Sequence, residues 1–292
     1  PCIRDWMNSG KSGHRLIRIV CSVPVFHVAC VLMDNRRTII MTTTYPKSVV
    51  ILGALSGVAR YIADGFCREG YTVVLAGRDM SELEILAEDL RIRHETDCHC
   101  LEFDALAYDT HALFVQRCSE ALGHTPGGVV LCFGYMAEQS KAQQDVEIMR
   151  RTVNTNLTGA IGILECFAAL FEDRKAGFIA ALSSVAGDRG RKMNYIYGAS
   201  KAGLSAYLQG LRNRLYSSNV QVTTIKPGFM DTPMTYGMDL PQLLVTSPDT
   251  AGKAIVRAIL KRKDIAYAPF FWRYIMWIIR CIPEWQFKKM SV

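Results

Sequence analysis

Six short apolar runs, many of them β-branched, recur through the chain at Ser48–Gly53, Tyr71–Ala76, Cys98–Asp104, Gly128–Phe133, Phe178–Ser183 and Val220–Ile225. Segments with helical periodicity lie between them. Near-continuous apolar runs of this length suit strands buried on both faces, and strand-helix-strand alternation requires parallel pairing through right-handed crossovers. The pattern therefore predicts an α/β fold, a single doubly wound parallel sheet with helices on both faces. No internal repeat, low-complexity tract or long linker interrupts it.

The first run leads from Lys47 through a small-residue turn into a helical pattern at Arg60, Tyr61, Ile62, Ala63 and Phe66. In this strand-turn-helix, Gly53 permits the tight turn. Gly57 lets the backbone approach a pyrophosphate held on the free N–H groups of the helix N-terminus, with Ser56 and Val58 beside it. The third small position is Ala59 rather than glycine, which weakens the fingerprint. The second run ends at Gly77-Arg78-Asp79. NAD-binding sites place a carboxylate here for the ribose hydroxyls, whereas an arginine suits the 2′-phosphate of NADP. Arg78 favours NADPH as cofactor. Asp79 keeps NAD open, and a solvated Arg78 at a strand end is the plain alternative.

Tyr197 and Lys201 are four residues apart, and Ser184 precedes the tyrosine by thirteen. On a helix the first two share a face. A free phenol titrates near pH ~10, and a nearby ammonium favours its phenolate, which predicts a lowered Tyr197 pKa and a proton shuttle. A serine hydroxyl at the same point would hold a substrate oxygen while hydride reaches its carbon. Tyr-x-x-x-Lys alone also occurs by chance in many helices, so the spacing gains its meaning from the dinucleotide turn.

From about Lys47 to Lys263 the chain resembles the short-chain dehydrogenases/reductases, a Rossmann-type family. Asp104 matches the family aspartate that contacts adenine, and Asn156 in Asn156-Leu157-Thr158-Gly159 matches the fourth member of the catalytic tetrad with Ser184, Tyr197 and Lys201. Pro227-Gly228-Phe229-Met230-Asp231-Thr232 resembles the segment that covers the nicotinamide, with Thr232 placed for its carboxamide. Where most members have Asn-Asn-Ala-Gly, this chain has Leu131-Cys132-Phe133-Gly134, and only Gly134 survives. The resemblance implies that Lys201 also holds the nicotinamide ribose, that Asn156 supports a water relay, and that a lid lies between Phe229 and Pro248.

A narrower resemblance rests on the runs Ser184 to Arg191, Asn194 to Lys201 and Leu208 to Leu215, and on Phe133-Gly134-Tyr135. These are similar to a bacterial subgroup containing the decaprenylphosphoryl-keto-ribose reductases, which reduce a 2-keto-pentose carried on a polyprenyl phosphate. The implied substrate is a keto-sugar or other polar carbonyl, lipid-linked in that subgroup. Arg189, Arg191 and Lys192 fall in the loop that should border the substrate, where they would attract a phosphate or simply be solvated.

A length of 292 residues suits one large core, and a mean hydropathy of +0.11 is high for a fully soluble protein. The net charge of +7 is spread along the chain, with no basic stripe and no nucleic-acid motif, so nucleic acid is not expected as a partner. Ten scattered cysteines, several inside apolar runs, suggest reduced thiols and a cytoplasmic compartment. Cys98-His99-Cys100 has no second ligand pair at metal spacing, and no metal is expected.

The domain reading has three parts. Residues 1–40 have no place in such a fold, and Met41 just before the first strand reads like a natural start, with Leu16 to Met33 as a membrane anchor the competing reading. Residues 41–265 form the dinucleotide-binding catalytic domain. Residues 266–292 form an amphipathic helical segment in which Arg273 and Arg280 share a face flanked by Trp272 and Trp277. Such a segment suits either the surface of an anionic membrane, at the inner face, or packing on the core or a second subunit of a homo-oligomer. The expected activity is NADPH-dependent reduction of a ketone to a secondary alcohol, the ketone being a keto-sugar carried on a lipid. The alternatives are a fatty-acyl or other hydrophobic ketone, and a non-catalytic dinucleotide-binding scaffold or sensor.

Overall fold

Val49 and Ile51 face one way from the first strand and Val50 and Leu52 the other, and all four are fully buried. This follows from the side-chain period of two when helices cover both faces of a sheet. The structure, a computed structural model, describes residues 45–236 and 241–290, which belong to one compact unit from Thr44 to Val292. The expected extension at residues 1–40, including the Leu16 to Met33 stretch, lies outside the described residues.

The sheet has seven strands: β1 (Ser48–Leu52), β2 (Thr72–Gly77), β3 (Cys98–Glu102), β4 (Gly128–Leu131), β5 (Gly177–Leu182), β6 (Val220–Pro227) and β7 (Ile265–Ala268). Their order is β3-β2-β1-β4-β5-β6-β7, and every neighbouring pair is parallel. The helices are α1 (Ala59–Arg68), α2 (Met80–His94), α3 (His111–Leu122), α4 (Gln139–Ala142), α5 (Val146–Val153), α6 (Gly159–Arg174), α7 (Tyr195–Leu215), α8 (Pro248–Leu260), α9 (Trp272–Cys281) and α10 (Glu284–Phe287). Ile62 and Phe66 of α1, Leu83 and Leu90 of α2 and Ile255 of α8 pack with Val49 and Ile51 on one face. Phe114 of α3, Phe167 of α6 and Leu204 and Leu208 of α7 pack with Val50 and Leu52 on the other.

The strand order reverses between β1 and β4, so the loops leaving these strands separate and open a crevice at their C-terminal ends. β2 begins one residue later than the apolar run suggests, because Tyr71 N–H donates to the Phe66 carbonyl at 3.0 Å and closes the turn out of α1. β7 has no counterpart among the six expected runs. It crosses the expected boundary at residue 265, pairing Thr224 with Ile265 and Pro227 with Ala268.

Beyond β7 the chain returns to the crevice. Trp272 and Met276 of α9 are buried with Val185, and Phe229 meets the Trp272 ring edge-on at 4.9 Å. The two tryptophans expected to flank one surface therefore separate: Trp272 is 2 % exposed and Trp277 67 %.

Candidate active site

The turn after β1 has the conformation its glycines allow. Gly53 has φ +78°, and a Cβ there would lie 2.7 Å from the Phe133 backbone nitrogen. A Cβ on Gly57 would lie 2.8 Å from Thr232 Cγ2, so only glycine leaves this gap open. The first turn of α1 has no side-chain cap and no acidic residue; Ala59 N–H donates to the Ser56 carbonyl at 2.9 Å, and Gly57 and Val58 at the helix start line the crevice. An uncapped helix start behind a glycine-shaped gap fits a pyrophosphate.

Two adjoining cavities continue from this turn. The first, about 310 Å³, is lined by Ser56, Gly57, Val58, Gly134, Ser184, Tyr197, Lys201, Pro227, Gly228 and Thr232. The second, about 420 Å³, is lined by Gly53, Ser56, Arg78, Asp104 and Gly134. All the candidate site residues but one thus line a continuous groove. At its far end Asp79 also lines the second cavity, and one oxygen of its carboxylate caps α2 by accepting from Glu82 N–H at 3.1 Å and from the Ser81 hydroxyl at 2.6 Å. Arg78 is exposed on the groove. Asp104 uses one oxygen to accept from Leu106 N–H at 3.0 Å.

Asn156 is the exception. It sits in a π-helical turn, Asn154–Thr158, that joins α5 to α6, a local widening frequent at functional sites. Its amide nitrogen donates to the Tyr135 carbonyl at 2.7 Å and to Ser200 Oγ at 3.0 Å, while its oxygen accepts from Tyr135 N–H at 2.7 Å. Both amide hydrogens are committed, so the side chain braces the loop after β4 against α7 rather than lining the groove.

Ser184 follows β5, Tyr197 and Lys201 share one face of α7, and the short turn Val185–Gly187 packs on that helix. Ser184 Oγ accepts from Ala186 N–H at 3.0 Å, which sets its rotamer. Lys201 Nζ donates to the Leu182 carbonyl at 2.9 Å and lies 5.9 Å from the centre of the Tyr197 ring.

The short chain dehydrogenase family model matches residues 47–241. The chain belongs to the short-chain dehydrogenase family. An uncharacterized oxidoreductase of Mycobacterium tuberculosis is 32 % identical over 251 residues, covering 86 % of this chain and 99 % of that protein. One from Streptomyces coelicolor is 32 % identical over 249 residues, covering 85 % and 97 %. Among solved structures, a short-chain dehydrogenase from Sphingobium yanoikuyae in complex with NADPH is similar, with a TM-score of 0.70 and 26 % identity over 82 % of this chain and 97 % of that one. The chain is thus a short-chain oxidoreductase, and its seven-stranded parallel sheet is the family's fold.

The electrostatics of this dehydrogenase site correct one expectation. Burial pushes the Tyr197 phenol up to about 12, with the Ser184 hydroxyl pulling the other way. Burial also pushes the Lys201 ammonium down to about 8, opposed by Cys132. The expected lowering of the Tyr197 pKa by Lys201 is absent because the ammonium is turned to a backbone carbonyl and desolvation dominates both groups. Tyr197 therefore stands as a neutral phenol, a state suited to giving a proton.

The expected lid is tied at its base: Met230 bridges Thr246, and Asp231 N–H donates to the Thr246 carbonyl at 3.1 Å. Of the three basic loop residues, only Arg191 lines the first cavity, together with Asn194. Asn194 escaped the sequence reading, as did Arg151, which lines the second cavity with its guanidinium 4.5 Å from the centre of the Tyr135 ring. Neither belongs to a spacing motif. The pleat of β3 places His99 on the opposite face from Cys98 and Cys100.

Proposed function

We propose that this dehydrogenase reduces a ketone to a secondary alcohol with NADPH, and that Ser184, Tyr197 and Lys201 carry the chemistry with Asn156 as a positioning residue. The observation that supports this most is the groove in which an arginine at one end and a protonated phenol at the other flank an uncapped helix start. The bound nicotinamide supplies hydride. Ser184 holds the substrate oxygen by its hydroxyl, and Tyr197 gives its proton to the alkoxide that develops there. Lys201, buried on the same face of α7 and held by the Leu182 carbonyl, reaches the ribose. Asn156 keeps the loop carrying Gly134 in place.

NADPH is preferred over NADH in this reading because Arg78 is exposed on the second cavity, where its guanidinium can meet a 2′-phosphate, while one oxygen of the neighbouring Asp79 caps α2. The NADPH held by the Sphingobium relative agrees with it. A lipid-carried keto-sugar is the substrate we favour. Its support is the outer face of α9, where Tyr274, Trp277 and Ile278 are exposed with Arg273 and Arg280, and the exposed Lys288 and Lys289 that follow α10. A hydrophobic ketone is the second reading, supported by Met136, Phe229, Met230 and Met234 in the cavity lining.

The test is Tyr197→Phe. Turnover of a generic diketone, followed by NADPH absorbance, is expected to fall by a factor on the order of 10² or more. NADPH binding, followed by nicotinamide fluorescence, is expected to persist. Near-normal turnover in the variant would remove Tyr197 from the mechanism.

A further inference from the structure

Three cations stand in the loop between Ser184 and Tyr197, and they meet three fates. Arg189 donates to the carbonyls of Ile279 at 2.9 Å, Arg280 at 3.2 Å and Ile282 at 2.6 Å, and pairs with Glu284 at 2.9 Å. It clamps the C-terminal end of α9, where unpaired carbonyls and the helix dipole attract a cation. Lys192 is exposed. Arg191 is only 9 % exposed, lines the catalytic cavity, and has its Nε buried without a partner.

Among the described residues, the Arg191 guanidinium takes part in no hydrogen bond or ion pair. Asp188, the carboxylate that acts on it through space, is already held by Lys226 and by the Tyr267 hydroxyl at 2.7 Å. A guanidinium stays charged in proteins, and a buried charge without a partner is strongly unfavourable. The Asn194 side-chain oxygen, in the same cavity lining, is also buried without a partner. Buried polar groups are satisfied in folded proteins, so two orphans in one cavity point to a ligand that completes them.

We infer that Arg191 binds an anionic group of the substrate, a carboxylate or phosphate carried within reach of the reacting carbonyl, while Asn194 accepts a hydrogen bond from a hydroxyl of the same molecule. The guanidinium fork matches either oxyanion in a bidentate manner. The cofactor's own pyrophosphate is met elsewhere, at the start of α1. This inference rests on the ketone-reductase reading and narrows its substrate class to acidic, hydroxylated carbonyl compounds.

Two measurements test it on the full chain saturated with NADP⁺ or NADPH, so that the cofactor's phosphate sites are filled. Inorganic phosphate is expected to raise the melting temperature of the NADP⁺-bound wild type. The rise should vanish in Arg191→Gln and return in part in Arg191→Lys. In turnover, a ketone bearing a carboxylate is compared with its methyl ester. The wild type is expected to prefer the acid, and Arg191→Gln to lower the acid-to-ester ratio of kcat/KM at least tenfold, chiefly through KM, with partial recovery in Arg191→Lys.

Equal losses on acid and ester, with no phosphate effect in the wild type, would overturn the assignment. If Arg191→Gln no longer binds NADPH, the wild type decides: no preference for the acid refutes the inference. If the wild type reduces neither ketone, the reductase reading fails, while the phosphate response still decides the role of Arg191.

Discussion

On the side of the groove proposed for the cofactor, the wall nearest the helix start comes from backbone and small residues, Gly53 at positive φ and Gly57 against Thr232, with Arg78 and Asp104 further along. On the substrate side they come from large side chains gathered from distant parts of the chain. Val185 of the serine turn, Phe229 of the lid base and Trp272 of α9 pack into one apolar cluster behind the catalytic cavity. A backbone cradle recognises what every dinucleotide shares. A wall of side chains is free to vary, and there the unpaired Arg191 and Asn194 stand. The difference separates a general half from a specific half, and experiments can set one against the other.

The largest effect is expected at Trp272. Truncation of a fully buried aromatic leaves a cavity, and Trp272→Ala is expected to lower global stability by about 3–5 kcal/mol in urea unfolding. Trp272 also covers Gly228, where a Cβ would lie 1.8 Å from the indole nitrogen. An unchanged unfolding midpoint would show that α9 is an appendage and that the substrate half does not depend on it.

Lys201 tests the boundary between the halves. Its pKa is lowered from 10.5 to about 8, so between these values the unfolded chain holds a proton that the native state lacks. Stability contributed at this position therefore rises with pH across that window, and below pH 8 the buried ammonium opposes folding. Without cofactor, Lys201→Met is expected to be more stable than wild type at neutral pH by about 3 kcal/mol. That gain should shrink as pH rises from 8 toward 10.5. A pH-independent difference in unfolding free energy would show that the charge of Lys201 is not what the burial opposes.

On the general half, Arg78→Ala is expected to weaken NADPH binding by roughly 1.5–3 kcal/mol, the range for a hydrogen bond to a charged group, and to leave NADH nearly unaffected. Fluorescence titration with both cofactors measures it. Equal losses would take Arg78 away from the 2′-phosphate.

The general half was also the more legible one. Strands β1 to β6 announce themselves as apolar runs because both faces of the sheet are covered, and the dinucleotide turn is a local pattern of small residues. Tyr197 and Lys201 follow from helical spacing. What the sequence concealed depends on contacts between remote segments. β7 is four residues long with an exposed Ile265, too short a run to register as a strand. The bracing by Asn156 needs the Tyr135 backbone, and the opposed fates of Arg189 and Arg191 depend on where α9 ends. The expected effect of Lys201 on the phenol was wrong because spacing shows proximity and not desolvation.

The smallest effect on folding, and the sharpest contrast within one helix, is expected at Trp277. It lies five residues after Trp272, about 140° further round the helix, so that one indole is in the core and the other outside. Trp277→Ser should change stability by no more than about 0.5 kcal/mol, as for other exposed sites. If the outer face of α9 rests on an anionic bilayer, the wild type should sediment with anionic vesicles at low salt and less with neutral ones. Binding should weaken as salt screens Arg273, Arg280, Lys288 and Lys289. Trp277→Ser should then lose most of its binding by removing the side chain that enters the interface, while Trp272→Ala fails through unfolding instead. A wild type that ignores vesicles, but forms a dimer that Trp277→Ser dissociates, would make this face a subunit contact. The lipid-carried substrate would then lose its main support, leaving the acidic ketone recognised by Arg191 as a soluble one.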